Sequence, residues 1–131
     1  MAFVGMSFTT GNEHTGYFNR KYLPRKRDAN AQNDLNLTNP NNYRAIRYAD
    51  VLLMAAEALA RTNSESAALG YLNQVRNRVG LPARSSSGAQ LLEDIYEERR
   101  FELALEGHRF HDLIRTGKAV EVLGSEGYQS H

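Results

Sequence analysis

The sequence predicts a mostly α-helical fold, and three observations carry that prediction. Apolar residues between Tyr48 and Leu59 recur at helical spacing. A second stripe, Ala68, Leu72, Val75 and Val79, is spaced four, three and four residues apart and stops at "GLP", residues 80 to 82. Residues 1 to 43, by contrast, hold Gly, Thr, Asn and basic residues with little periodicity. The chain reads as a single partial domain over 1–131, with an irregular loop or strand segment at 1–43 and a helical body at 44–123.

At 131 residues the chain suits one domain with a core and is short for two. Its hydrophobic content of 41% and charged content of 24% are those of an ordinary globular protein. A formal net charge of +1 gives no global reason to expect a nucleic acid or an anionic membrane surface as partner. The basic run "RKYLPRKR", Arg20 to Arg27, reads as a solvated loop. With no cysteine, disulfides, thiolate catalysis and cysteine-ligated zinc are excluded. No stretch reaches the length of a membrane-spanning helix.

In the irregular segment, "GYFNRKYLP" at 16–24 suits a short strand ended by Pro24. "DANAQNDLNLTNPNN" at 28–42 suits turns and extended loop, because asparagine and proline compete with helix.

The first helix carries a stripe of Tyr48, Leu52, Ala55, Ala56 and Leu59, flanked by Ala45 and Ala49 and widened by Val51 and Leu53. Arg47, Asp50, Glu57 and Arg61 then form a narrow polar back. Asn63 or Ser64 can cap the second helix, with Glu65 at its positive end. A link of about three residues makes the two an antiparallel pair resembling one tetratricopeptide-type repeat. Ala55, Ala56, Ala68 and Gly70 are the small residues that would let their backbones approach. A third helix runs from about Ala89 to Glu106, and after Gly107 a short fourth places Phe110, Leu113 and Ile114 on one side, ahead of another short helical piece.

The third helix raises the main question. Leu92, Ile95, Tyr96 and Leu103 form its apolar stripe, yet Arg99 and Glu106 lie within that stripe and Glu102 at its margin. Charges on an apolar face are costly unless paired. The spacing therefore predicts an internal ion network of Arg99 with Glu102 and Glu106, joined by Arg109 or Asp112 beyond Gly107. Glu93, Glu97, Glu98 and Arg100 are expected in solvent or on the flanks.

Rival chemistries fit less well. Glu98, Glu102 and Glu106 stand at four-residue intervals, but an arginine partner lowers a carboxylate's pKa, the wrong direction for a general acid. His108 and His111 are three apart, which is not the zincin spacing, and neither has a glutamate three residues before it, as carboxylate di-iron sites require. No catalytic residue, metal or cofactor is assigned.

Taken together, "RYADVLLMAAEALAR", "LNQVRNRVGLP" and "ERRFELALEGHRFHDLIRTGKA" resemble the C-terminal region of SusD/RagB-type proteins, the surface nutrient-binding lipoproteins of Bacteroides-type bacteria. The family pattern falls on Arg47 to Met54, Asn73 to Leu81 and Glu98 to Lys118, and the resemblance covers roughly 43 to 120. It implies a non-catalytic protein at the outer membrane that captures a glycan or other nutrient and delivers it to a SusC-like TonB-dependent transporter. It also implies a fragment of a larger, mostly helical protein whose signal and lipid anchor lie outside this chain. Matching positions are the family's architecture and assign no ligand contacts. Tyr17, Phe18, Tyr22 and Tyr43 are the aromatic candidates for stacking against a sugar face. The rival class is a free-standing helical protein–protein interaction module, which the repeat-like pair alone supports.

Overall fold

In the computed structural model, residues 21–22 and 42–124 are described, and the chain divides into two units, Met1–Tyr43 and Arg44–His131. Among the described residues, the second unit holds five helices and no strand. They are α1 (Tyr48–Arg61), α2 (Glu65–Arg78), α3 (Gly88–Glu102), α4 (His108–Arg115) and α5 (Ala119–Gly124). The expected strand at 16–24 and the loop at 28–42 fall almost wholly outside the described residues.

Three of these helices end in the same way. The chain leaves α1 through Asn63, α2 through Gly80 and α4 through Gly117, each in the left-handed region. In each case the next amide reaches back to the helix: Ser64 N–H to Leu59 O at 2.9 Å, Leu81 N–H to Arg76 O at 3.1 Å and Lys118 N–H to Leu113 O at 2.9 Å. These are Schellman closures, which satisfy carbonyls that a helix end otherwise leaves open. Glycine adopts that conformation without steric cost, and asparagine is the residue that most often substitutes for it. Asn63 therefore terminates α1, while Ser64 occupies the N-cap of α2 without a side-chain cap bond.

The core is where α1, α2 and α3 meet. It consists of Leu52, Leu53 and Ala56 from α1, Ala68, Leu72 and Val75 from α2, and Leu91 and Ile95 from α3. Ala56 and Ala68 are fully buried, and their small side chains allow the first two helices to pack closely, whereas Gly70 is exposed. Truncating a core leucine such as Leu53 or Leu72 removes about 2–5 kcal/mol.

The buried face of α1 is rotated from the one its apolar residues predict. Tyr48 is 73% exposed, while Asp50 and Glu57 are buried beside Leu53. The polar back thus faces inward, because arginines of α3 and α4 reach these two acids. In α3, Leu91 rather than Leu92 is fully buried, and Glu98 is buried instead of solvated. That helix also ends at Glu102, four residues earlier than its pattern predicts. The chain turns through Leu105, at φ 66°, and Gly107, at φ 84°, before α4 begins. In α4 only Leu113 of the apolar trio is buried; Phe110 and Ile114 are more than half exposed.

Candidate functional site

Apart from Arg100, the charged residues of α3 are taken up in ion pairs with other parts of the chain. Arg99 donates from Nη1 to Asp50 Oδ1 at 2.8 Å and from Nε to Asp112 Oδ2 at 3.1 Å. Asp112 also accepts from Arg115 Nε at 2.7 Å, and Arg115 Nη1 donates to both oxygens of Glu57 at 2.7 Å. Arg61 completes the line with Nε 3.1 Å from Glu57 Oε1. Charges alternate along this chain from Asp50 to Arg61, so each buried acid has a cation beside it. That compensation makes such burial tolerable.

A second group closes the end of α3. Arg47 donates from Nε and Nη2 to the two oxygens of Glu106, at 2.7 and 2.8 Å, as a two-pronged fork. The same guanidinium reaches Glu102 Oε1 and the Glu102 carbonyl, both at 2.8 Å. Arg47 therefore serves as a C-terminal cap for α3 supplied by residues before α1. Its hydrogen bonds to Glu106 hold the guanidinium still more firmly protonated, against the opposing effect of burial, and Glu102 adds to that hold. Arg78 Nη2 donates to Glu102 Oε2 at 2.7 Å.

The predicted pairing of Arg99 with Glu102 and Glu106 is thus replaced by two separate sets. Arg99 takes Asp50 and Asp112, and Arg47 takes Glu102 and Glu106. The physical reason lies in the direction of the side chains. Arg99 points toward α1, whereas Glu102 and Glu106 lie where the chain turns past Arg47. Arg109 is exposed and makes no ion pair among the described residues. Arg47, Asp50, Glu57, Arg76, Glu98 and Arg115 are members that the sequence does not single out. One signal was present: Asp50 and Glu57 lie seven residues apart on either side of Leu53, two helical turns on one face.

The remaining motif residues tie down the loop between α2 and α3. Asn73 and Arg84 exchange two hydrogen bonds, Nδ2 to the Arg84 carbonyl at 3.0 Å and the Arg84 N–H to Oδ1 at 2.8 Å. Arg76 donates from Nε to Pro82 O at 2.9 Å and from Nη1 to Glu98 Oε2 at 2.6 Å. Asn73, Val75 and Arg76 thus serve loop, core and ion pair respectively.

Acid–base poise runs against proton donation here. Burial alone would push the Asp112 carboxyl up, but the hydrogen bonds and charges of Arg115 and Arg99 hold it below the usual carboxylate range. Asp94 behaves alike, with burial outweighed by hydrogen bonds from Ser86 and Gln90 and by the charge of Arg84. Tyr96 is pushed up by burial and by the Glu57 carboxylate, to which its hydroxyl donates at 3.2 Å. Among the described residues, no three His, Asp or Glu side chains stand together as metal ligands, and no helix is long and apolar enough to cross a membrane.

Of the aromatic candidates, Tyr17 and Phe18 lie outside the described residues. Tyr22 and Tyr43, both in the first unit, stack with ring centroids 6.3 Å apart and planes 9° from parallel. Tyr43 is 72% exposed.

Comparison with known proteins places this architecture. A family model described as the SusD family matches residues 1–130. The SusD-like protein P38 of Formosa agariphila is 44% identical over 88 residues, covering 60% of this chain and 18% of that protein. The SusD-like protein P25 of the same organism is 34% identical over 118 residues, covering 85% of this chain and 22% of its own length. A crystal structure of a SusD-like protein from Bacteroides fragilis is similar with a TM-score of 0.59 and 40% identity, over 61% of this chain and 16% of that one. The chain spans about a fifth of the length of these two curated relatives.

Proposed function

This chain belongs to the SusD family, and from that premise we propose that it forms part of a non-catalytic protein that captures saccharides at the bacterial outer surface. Members of that family are outer-membrane surface lipoproteins that bind rather than transform their ligands. On this reading the ligand passes to a SusC-like TonB-dependent transporter. The stacked pair of Tyr22 and Tyr43 is the observation that carries the saccharide assignment. Two parallel rings, one of them largely open to solvent, offer an apolar platform to the C–H face of a sugar. The helical body fits a supporting role, since its buried acids are matched by arginines.

Calorimetric titration with oligosaccharides tests this. Binding should weaken at least several-fold in Tyr43→Ala and in Tyr22→Ala while helicity stays unchanged. Affinity unaltered in both variants would remove the platform. Failure of every saccharide to bind, together with capture of a protein partner, would favour the free-standing interaction module instead.

A further inference from the structure

A cleft of about 240 Å³ is lined by residues of α3, α4 and α5. Tyr96, Glu93, Glu97 and Arg100 line it from α3, spaced three or four residues apart, and Arg109 and Asp112 line it from α4. Three of its four acids are paired with cations. Glu93 pairs with Lys118, Glu97 with Arg84 at 2.8 Å, and Asp112 with Arg99 and Arg115. Glu121, which also lines the cleft, is not free either.

Arg100 and Arg109 differ. Both are exposed, and neither makes an ion pair among the described residues. Arg100 is held by its neighbour, with the guanidinium 5.8 Å from the centre of the Phe101 ring. Two guanidinium groups without an ion pair among the described residues thus border a cleft in which Glu93, Glu97 and Asp112 are each paired with a cation. The ring of Tyr96 is no platform for a neutral sugar, because Arg115 and Lys118 stand over it at 5.9 and 5.5 Å. What Arg100 and Arg109 offer is positive charge with forked N–H donors, which suits an oxyanion. Its volume is below that usual for drug-sized ligands and is of the order of one sugar ring.

We propose that this cleft binds the oxyanion of an acidic saccharide, a uronate carboxylate or a sulfate ester, through Arg100 and Arg109. This rests on the saccharide-binding reading above, but on different residues from the stacked tyrosines.

Calorimetry on the whole chain tests it with an oligogalacturonide, a sulfated oligosaccharide and a neutral oligosaccharide of equal length. At least one acidic ligand should bind more tightly than the neutral one. Its affinity should fall about tenfold for each guanidinium removed in Arg100→Gln and Arg109→Gln, as loss of a charge-assisted hydrogen bond implies. It should also weaken with added salt, while neutral binding in these variants stays unchanged. The two acidic arms identify which oxyanion is preferred. Equal affinity for acidic and neutral ligands, or acidic binding untouched in the double variant, would overturn the proposal and leave the tyrosine platform standing. Neutral binding unchanged in both Tyr43→Ala and Tyr22→Ala, with the acidic preference intact, would leave the cleft standing and count against the platform.

Discussion

Arg47 grips Glu106 from 59 positions away, with Nε 2.7 Å from one carboxylate oxygen and Nη2 2.8 Å from the other. This fork joins the residue before α1 to the turn after α3. It explains why a helix whose pattern continues to Glu106 ends at Glu102. The guanidinium holds the last carbonyl of the helix and the carboxylate beyond it together.

Lysine cannot reproduce that fork, since its ammonium is a single point of charge. Arg47→Lys should therefore destabilise the chain by roughly 1–2 kcal/mol, and Arg47→Met by more, since buried Glu106 would lose both hydrogen bonds of the fork. Urea unfolding followed by circular dichroism reads both. Equal stability of the lysine variant and the parent chain would reduce the fork to a simple charge contact.

Asp94 and Asp112 set the acid limb of stability. Both carboxyls lie below their ordinary values in the folded chain, so between the folded and unfolded pKa values the unfolded chain binds more protons. Their contribution is fully present above about pH 4, the usual aspartate value, and is lost as pH falls through the folded values. Unfolding midpoints between about pH 2 and 7 should show this slope, and Asp112→Asn should flatten it. Tyr96 acts at the other end. Its raised value means a contribution present below about pH 10 and lost as pH rises through the folded value.

The turn between α3 and α4 holds opposite opportunities two residues apart. Leu105 adopts φ 66° with its side chain 67% exposed, so it carries backbone strain and gives little burial in return. Leu105→Gly should stabilise by about 1 kcal/mol, because glycine reaches the left-handed region freely. Gly107, at φ 84°, has open space where a Cβ would stand. Gly107→Ala should therefore cost about 1–2 kcal/mol from the backbone alone. Thermal melts of the two variants should move in opposite directions; movement in the same direction would contradict this account of the turn.

Much of the scaffold was legible in the sequence. The stripes gave α1 and α2, and "GLP" gave the stop after α2, because hydrophobic period and glycine chemistry act locally. The need to neutralise Arg99 and Glu106 was legible too, from their position on an apolar stripe. Asp112, one of the two residues expected to join Arg99, does so; Asp50 and Arg47 were not legible as partners, because they lie 49 and 59 positions from Arg99 and Glu106 and only the packing of α1 against α3 and the turn after it brings them near. The same long-range pull turned Asp50 and Glu57 inward and Tyr48 outward, against the preference of the isolated helix. Glu98 was misplaced for the same reason: Arg76 reaches it from α2.

The central claim is that the acids and arginines shared by this signature hold helices to one another. The contact of Arg99 with Asp50 tests it most directly, since both side chains are almost wholly buried, at 5% and 7% exposure. A double-mutant cycle of Asp50→Asn and Arg99→Met, followed by urea unfolding, measures their coupling. Each single change should cost about 3–5 kcal/mol, and the pair should cost less than their sum by at least about 1 kcal/mol. Small, additive losses would mean that the signature residues do not hold the scaffold together.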